Sequence, residues 1–351
     1  MTSRGFSISL LAGMALLFLS TAAANVVLDP QAVFGTGLFS RLMNINERNH
    51  RLKQYQEQAD SIDGVLFSSS RGNLLDPKLL AKDMGLSHFF SASMSYGMVS
   101  DFLPILEYMM RDKTKRAIKL KHVFVLLDVD FFGRPPWTNS NINSFLPPDI
   151  GDEPAARYWW RYLTAFQPRL WRDVVREDRR QSEAAKAAAA AKAAAPAGPA
   201  PTAVAAPQAP PMRSPLPSEP EDYRRSWNAI RVDLDRQFMM LRRIVALCRD
   251  NQVQLTVAIS PLKAWNLDLN GPAEIDALTA RLSTITPLWD FNSPPFIANR
   301  NEYWLDNSHF DEKAGAMMLA RIFDHDDGHA NNWGKLRGSA AHTSLELEKH
   351  P

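Results

Sequence analysis

Two short stretches of this chain carry residue types that could do chemistry together. Near the C-terminal end, "YWLDNSHF" (303–310) sets Asp306 three residues before His309. Far upstream, "FSSSRG" (67–72) offers consecutive hydroxyls, ending at Ser70. A serine becomes a nucleophile only beside a base, and an imidazole acts well as that base when an acid fixes its tautomer. Asp and His at i, i+3 in a tight turn reach one pocket, so the pair suits the acid and base of a triad. Asp, Asn and Ser before a helix also cap its free N–H groups, and a helix cap is the simpler account of "LDNSHF" taken alone. Asn307 and Ser308 are then the residues expected to cap.

The elements that must position these residues are readable from periodicity. Strand-like runs occur at 63–70, 86–93, 121–132, 252–261 and 282–292, and helical patterns at 39–59, 74–85, 97–113, about 155–178, 224–251 and 311–323. Strands alternating with helices predict an α/β fold, a sheet of about five parallel strands covered on both faces. In such folds function gathers at the carboxyl ends of strands. The first strand ends in the serines, the third in Asp128 and Asp130, and the fourth in Ser260-Pro261. Arg71 either pairs with Asp128 or Asp130 as a structural bridge or binds an anionic polymer or acyl-donor group. Trp265 and Trp304 either pack in the core or line a sugar-binding rim. His50, His88 and His122 lack an evident partner, and no spacing suggests a metal site or a cofactor.

Composition bounds the partners and the compartment. Forty basic and 38 acidic side chains nearly cancel over 351 residues, which leaves no concentrated basic face for nucleic acid. The lone Cys248 forms no intrachain disulfide. "GFSISLLAGMALLFLSTAAANVVL" (5–28) holds no charge and is long enough to cross a bilayer. It reads as an uncleaved signal anchor, with "AAA" (22–24) as the alternative cleavage site of a signal peptide. Arg4 before it leaves the body of the chain outside the cytoplasm. Residues 29–325 read as one α/β domain, interrupted at about 183–222 by an Ala/Pro-rich insertion that has little to bury. The tail, 326–351, is polar and expected to fray.

Taken together, Ser68-Ser69-Ser70-Arg71 after strand one and Asp306-x-x-His309 before the last helix resemble the SGNH (GDSL-like) hydrolase superfamily. "NVVLDP" (25–30), "LLDVDFF" (126–132), "LWDFN" (288–292) and "YWLDNSHF" resemble its membrane-anchored bacterial branch, associated with acylation of cell-surface polysaccharide. The resemblance implies a three-layer flavodoxin-like sandwich behind an N-terminal membrane helix. It implies a Ser70–His309–Asp306 triad in a serine esterase or O-acyltransferase, needing no cofactor. The implied localisation is single-pass in the inner (cytoplasmic) membrane, with the catalytic domain periplasmic. The implied partners are an acylated polysaccharide or acyl donor and other envelope-biosynthesis proteins. The family's second motif gives an oxyanion N–H, for which Gly97 in "SASMSYGM" is the candidate. Its third gives an Asn, where this chain has Asp128 and Asp130, with Asn139, Asn141 and Asn143 farther along. Ser68 also stands where the family has glycine. These departures motivate the rival expectation, an inactive SGNH-like subunit that binds polysaccharide or scaffolds polymer assembly.

Overall fold

The structure, a computed structural model, describes residues 3–36, 38–39, 45–133, 145–194, 233–323 and 333–338. Most of the Ala/Pro-rich insertion, together with Asn139, Asn141 and Asn143, lies outside the described residues. The chain divides into two compact units, Met1–Lys53 with Thr138–Ala209, and Gln54–Trp137 with Pro210–Pro351. Residues after the third strand belong with the N-terminal helix, a tertiary pairing that no local pattern announces.

The first unit is helical. Helix α1 (Ser3–Leu28) contains a run, Arg4–Leu28, of mean hydropathy 2.0, long and apolar enough to cross a membrane. At a rise of about 1.5 Å per residue it spans about 37 Å, more than a hydrocarbon core of about 30 Å. The "AAA" run lies inside this helix between buried Thr21 and Asn25. Helix α2 (Glu47–Gln58) follows and runs across the boundary between the two units. The single helix expected near 155–178 is two, α5 (Ala155–Thr164) and α6 (Pro168–Ala194). Pro168 disfavours helix at the residue before it and has no N–H to continue the ladder, so it begins the new helix. Asn25 joins the pieces. Its Nδ2 donates to the Leu163 and Ala165 carbonyls (3.1 and 2.9 Å), and its Oδ1 accepts from Trp171 Nε1 (2.8 Å). Asp29 gathers the Val33, Phe34 and Gly35 N–H groups. Val33, Tyr158 and Tyr162 form a small core.

The second unit is α/β. Its strands are β1 (Gly64–Phe67), β2 (Phe89–Ser91), β3 (His122–Leu127), β4 (Gln254–Ile259), β5 (Leu288–Asp290) and β6 (Lys335–Arg337). They pair in the order β2-β1-β3-β4-β5-β6, parallel except for β5 with β6. The uninterrupted apolar runs of β1 and β3 are buried throughout, as strands covered on both faces require. The connecting helices are α3 (Pro77–Asp83), α4 (Val99–Lys115), α7 (Leu234–Asp250), α8 (Ala264–Asn270), α9 (Pro272–Ser283) and α10 (Glu312–Ile322). The tail expected to fray from 326 contributes the antiparallel edge β6, held by buried Trp333, whose Nε1 donates to the Phe291 carbonyl (3.1 Å).

The chain order reverses between β1 and its two neighbours, β2 and β3. Open α/β sheets place a crevice beyond the strand ends at such a reversal. Ser70 follows β1, and Asp128 follows β3, on either side of that point.

Candidate functional site

The turn that carries Ser70 begins where β1 runs out of apolar residues. Ser69 accepts from Arg71 N (3.1 Å) and caps a short 3-10 turn, Ser70–Leu74. That cap lifts Ser70 out of the sheet. Gly72 permits it: a Cβ there would stand 2.3 Å from Ser68 Cβ and 2.4 Å from Ser93 Oγ. The bulk that Ser68 adds where a glycine was expected is thus accommodated by a glycine four residues later.

The second stretch is a closed loop. Leu305 N donates to the His309 carbonyl (2.9 Å), Asp311 N donates to the Tyr303 carbonyl (2.8 Å), and Trp304 bridges to Phe310. Within it Asp306 Oδ1 accepts from the Ser308 and His309 N–H groups (2.6 and 2.8 Å), which leaves Oδ2 to face the imidazole. The expected caps of the last helix need correction. Asp311 caps α10, accepting from Ala314 N (2.8 Å). Asn307 and Ser308 do other work: the Asn307 carbonyl accepts from Trp265 Nε1 (3.0 Å), and Ser308 meets Arg71.

The two stretches meet. Ser70 Oγ lies 2.8 Å from His309 Nε2, and His309 Nδ1 lies 2.7 Å from Asp306 Oδ2. Burial raises the Asp306 carboxyl, but the Ser308 and His309 N–H groups and the imidazole outweigh it and hold it below the ordinary carboxylate range. An ionised carboxylate only accepts, so Nδ1 carries the proton and the Nε2 lone pair faces the serine hydroxyl. The array is therefore set to take a proton from Ser70. His309 and Asp306 are about one-third exposed, open enough for a solvent-borne substrate.

Arg71, Asp128 and Asp130 lie beneath this array and do not face solvent. Arg71 Nη1 and Nη2 each donate to an Asp130 oxygen at 2.7 Å, and Nη1 stands 3.1 Å from Asp128. Its Nε donates to the Ser308 carbonyl (2.8 Å) and Nη2 to Ser308 Oγ (3.1 Å). One guanidinium thus ties the strand ends to the residue beside His309. Burial opposes the arginine's charge, yet the two carboxylates outweigh it and raise its pKa. With two carboxylates to one cation, burial and the Asp130 charge together overcome Arg71 and push the Asp128 carboxyl above its ordinary range. Asn266 Nδ2 completes Asp130 (2.8 Å). This network rests on residues of mixed type scattered over the turn after β1, the loop after β3, helix α8 and the loop before α10, and sequence reasoning missed Ser308 and Asn266 as members.

The Gly97 N–H donates to the Met94 carbonyl (2.9 Å), which engages the expected oxyanion donor in its own turn. A Cβ on Gly97 would lie 2.6 Å from the Ser68 carbonyl, so the position needs glycine for close packing. The N–H of Ser70, first in its 3-10 turn, is one that a helix start leaves without an intrahelical partner. Trp304 is buried and donates to the Ile297 carbonyl (2.8 Å), a core residue and not a rim. His122 is sandwiched between Gln254 and Thr256, and burial lowers its pKa to about 4. A cavity of about 310 Å³ in this unit is lined by Leu267, Ile275, Asp290, Asn292 and Arg337, among others, and by none of the triad. No protein-family model matches this sequence, and comparison with curated proteins finds no match.

Proposed function

We propose that this chain is a membrane-anchored, extracytoplasmic serine esterase or O-acyltransferase of SGNH type, acting on acyl groups of cell-surface polysaccharide. The observation that carries the reading is the continuous hydrogen-bonded line from Ser70 Oγ through His309 to Asp306. Ser70 Oγ attacks the acyl carbonyl carbon while its proton passes to His309 Nε2. The tetrahedral intermediate collapses, the C–O bond to the leaving alcohol breaks, and that alcohol takes the proton from Nε2. Water or a sugar hydroxyl then gives its proton to Nε2 and attacks the acyl-serine; the bond from acyl carbon to Oγ breaks, and Ser70 Oγ takes the proton back from Nε2. The strand order β2-β1-β3-β4-β5 agrees with a flavodoxin-like sandwich. The burial of Thr21 and Asn25 on either side of "AAA" favours a retained anchor.

The test is hydrolysis of p-nitrophenyl acetate by the full chain, with labelling by a fluorophosphonate. The expected result is turnover and labelling that vanish in Ser70→Ala and fall sharply in His309→Ala. Wild-type protein that labels no more than Ser70→Ala refutes the reading. A second reading, a polysaccharide-binding subunit without chemistry, draws on the Gly97 N–H being engaged by Met94. It predicts glycan binding that survives Ser70→Ala, with no esterase activity in the wild type.

A further inference from the structure

We infer that the first unit carries a binding site for the phosphate headgroup of an anionic phospholipid, formed by Arg172, Arg176 and Arg179 of α6 beside the C-terminal end of α1. The three arginines recur at i, i+4 and i+7, one face of a helix. With Trp171, Val175 and Leu28 they line an open groove of about 390 Å³. That lining holds three cations and no carboxylate. Outside that lining, Asp173 of the same helix stands 3.8 Å from Arg172 Nε, and Glu177 engages Arg180 at 3.0 Å. Among the described residues Arg176 and Arg179 have no ion-pair partner. Guanidinium groups bind phosphate oxygens in a forked geometry, so an open arginine groove suits a phosphate.

What makes the phosphate a lipid's is position. Leu28 is the last residue of the apolar run, and it is part of the groove wall. Deeper along α1, Phe18 stacks on Trp160 of α5 with ring centroids 5.3 Å apart. Phe18 is ten residues before Leu28, about 15 Å along the helix axis. Trp160 and Phe166 are nonetheless 58% and 64% exposed. Large rings left uncovered beside an apolar span fit the acyl and interfacial region of a leaflet, where Trp is enriched. From Phe18 toward Leu28 the surface thus changes from apolar side chains and rings to arginines, in the order in which a leaflet changes from chains to headgroups.

The experiment is native mass spectrometry of the full chain in a mild detergent, titrated with phosphatidylglycerol or with phosphatidylcholine of the same acyl chains. Wild type should take up phosphatidylglycerol at a concentration lower by about tenfold or more, since each arginine near an anionic headgroup is worth several-fold in affinity. Arg172→Gln/Arg176→Gln/Arg179→Gln should erase the preference, and the matching triple Lys variant should keep most of it. Thermal melts that match wild type exclude misfolding, and the single Arg176→Gln, which disturbs least, should already weaken it. Equal uptake of the two lipids by wild type overturns the inference. So does a preference retained by the triple Gln variant. Displacement of the lipid by millimolar inorganic phosphate would make this a free-anion site and also overturn it.

Discussion

Replacing Asp128 and Asp130 one at a time by asparagine should produce unequal damage, because the two carboxylates sharing Arg71 are not equivalent. Asp130 binds the guanidinium through both oxygens at 2.7 Å and also accepts from Asn266. Asp128 touches Arg71 once, at 3.1 Å, and burial and the Asp130 charge push it toward protonation. An amide there can turn its oxygen to Arg71 and its NH₂ to the Ser69 or Ser260 hydroxyl, and losing the charge follows the direction in which burial already pushes Asp128. Asp128→Asn should therefore cost less than about 1 kcal/mol. In Asp130→Asn the new NH₂ faces donors of Arg71 and Asn266, and the arginine loses its forked partner. Breaking a buried pair on one side costs about 3–5 kcal/mol. Arg71→Met should cost as much, since it leaves buried carboxylates without a cation. At about 2–4 °C per kcal/mol, Asp130→Asn and Arg71→Met should each melt about 10 °C below wild type. The double variant Arg71→Met/Asp130→Asn should melt well above the sum of its parts, because residues in one ion network couple. The assay is thermal unfolding of the full chain in detergent, followed by Trp fluorescence. Equal losses for Asp128→Asn and Asp130→Asn, or a loss under about 1 kcal/mol for Arg71→Met, would refute the charge assignment.

Other consequences follow from the same contacts. Asp306→Asn keeps an oxygen for the Ser308 and His309 N–H groups but turns an NH₂ toward Nδ1, selecting the wrong tautomer; the rate of the proposed esterase reaction should fall on the order of 10⁴ with little change in melting. Gly72→Ala should cost about 1–3 kcal/mol through its clash with Ser68 Cβ, and Ser68→Gly should relieve part of that loss in a double-mutant cycle by thermal unfolding. His122 is neutral when folded, with a pKa near 4 against 6.5 for the ordinary side chain. The unfolded chain therefore binds the extra proton between those values, and stability drops by about 3 kcal/mol as pH falls from 6.5 to 4. Urea unfolding across that range should show the drop in wild type and lose most of it in His122→Gln. Asp306, held low when folded, adds its own loss only below about pH 4, where the unfolded chain's carboxyl takes a proton that the folded one still resists.

The site was more legible in the sequence than its support. Asp306 and His309 are local to each other, so their spacing alone restricts geometry, and Ser70 stands at the end of an apolar run that only a strand explains. The cap at Asp311 was also legible, since an Asp followed by Glu312 opens an amphipathic pattern, but the richer "DNS" before it offers three competing capping residues. Gly271-Pro272, a break followed by a residue that starts helices, marks the junction of α8 and α9 that periodicity alone passed over. Strand β6 was hidden because three residues carry no period; its existence depends on Trp333 burying itself against Phe291. Within the first unit Asn25 reaches carbonyls 138 and 140 positions away, a relation with no local trace.

Arg71 shows why the ambiguous residues were the ones that mattered. In sequence it could serve a ligand or a bridge equally well, because a charge next to a nucleophile suits both. The structure buries it and gives its fork to Asp130, which leaves Nε for Ser308. Ser70 and Arg71 are consecutive, and so are Ser308 and His309. The contact that joins the two halves of the array across 239 positions is thus paralleled, one residue over on each side, by a charged tie from buried Arg71 to partly buried Ser308. A hydrogen bond between partly exposed groups contributes only about 1 kcal/mol by itself and would not hold two loops in register. The buried fork supplies the rigidity that the Ser70–His309 line needs. Loosening it through Asp130 should therefore lower the rate of the proposed esterase reaction in variants that still fold.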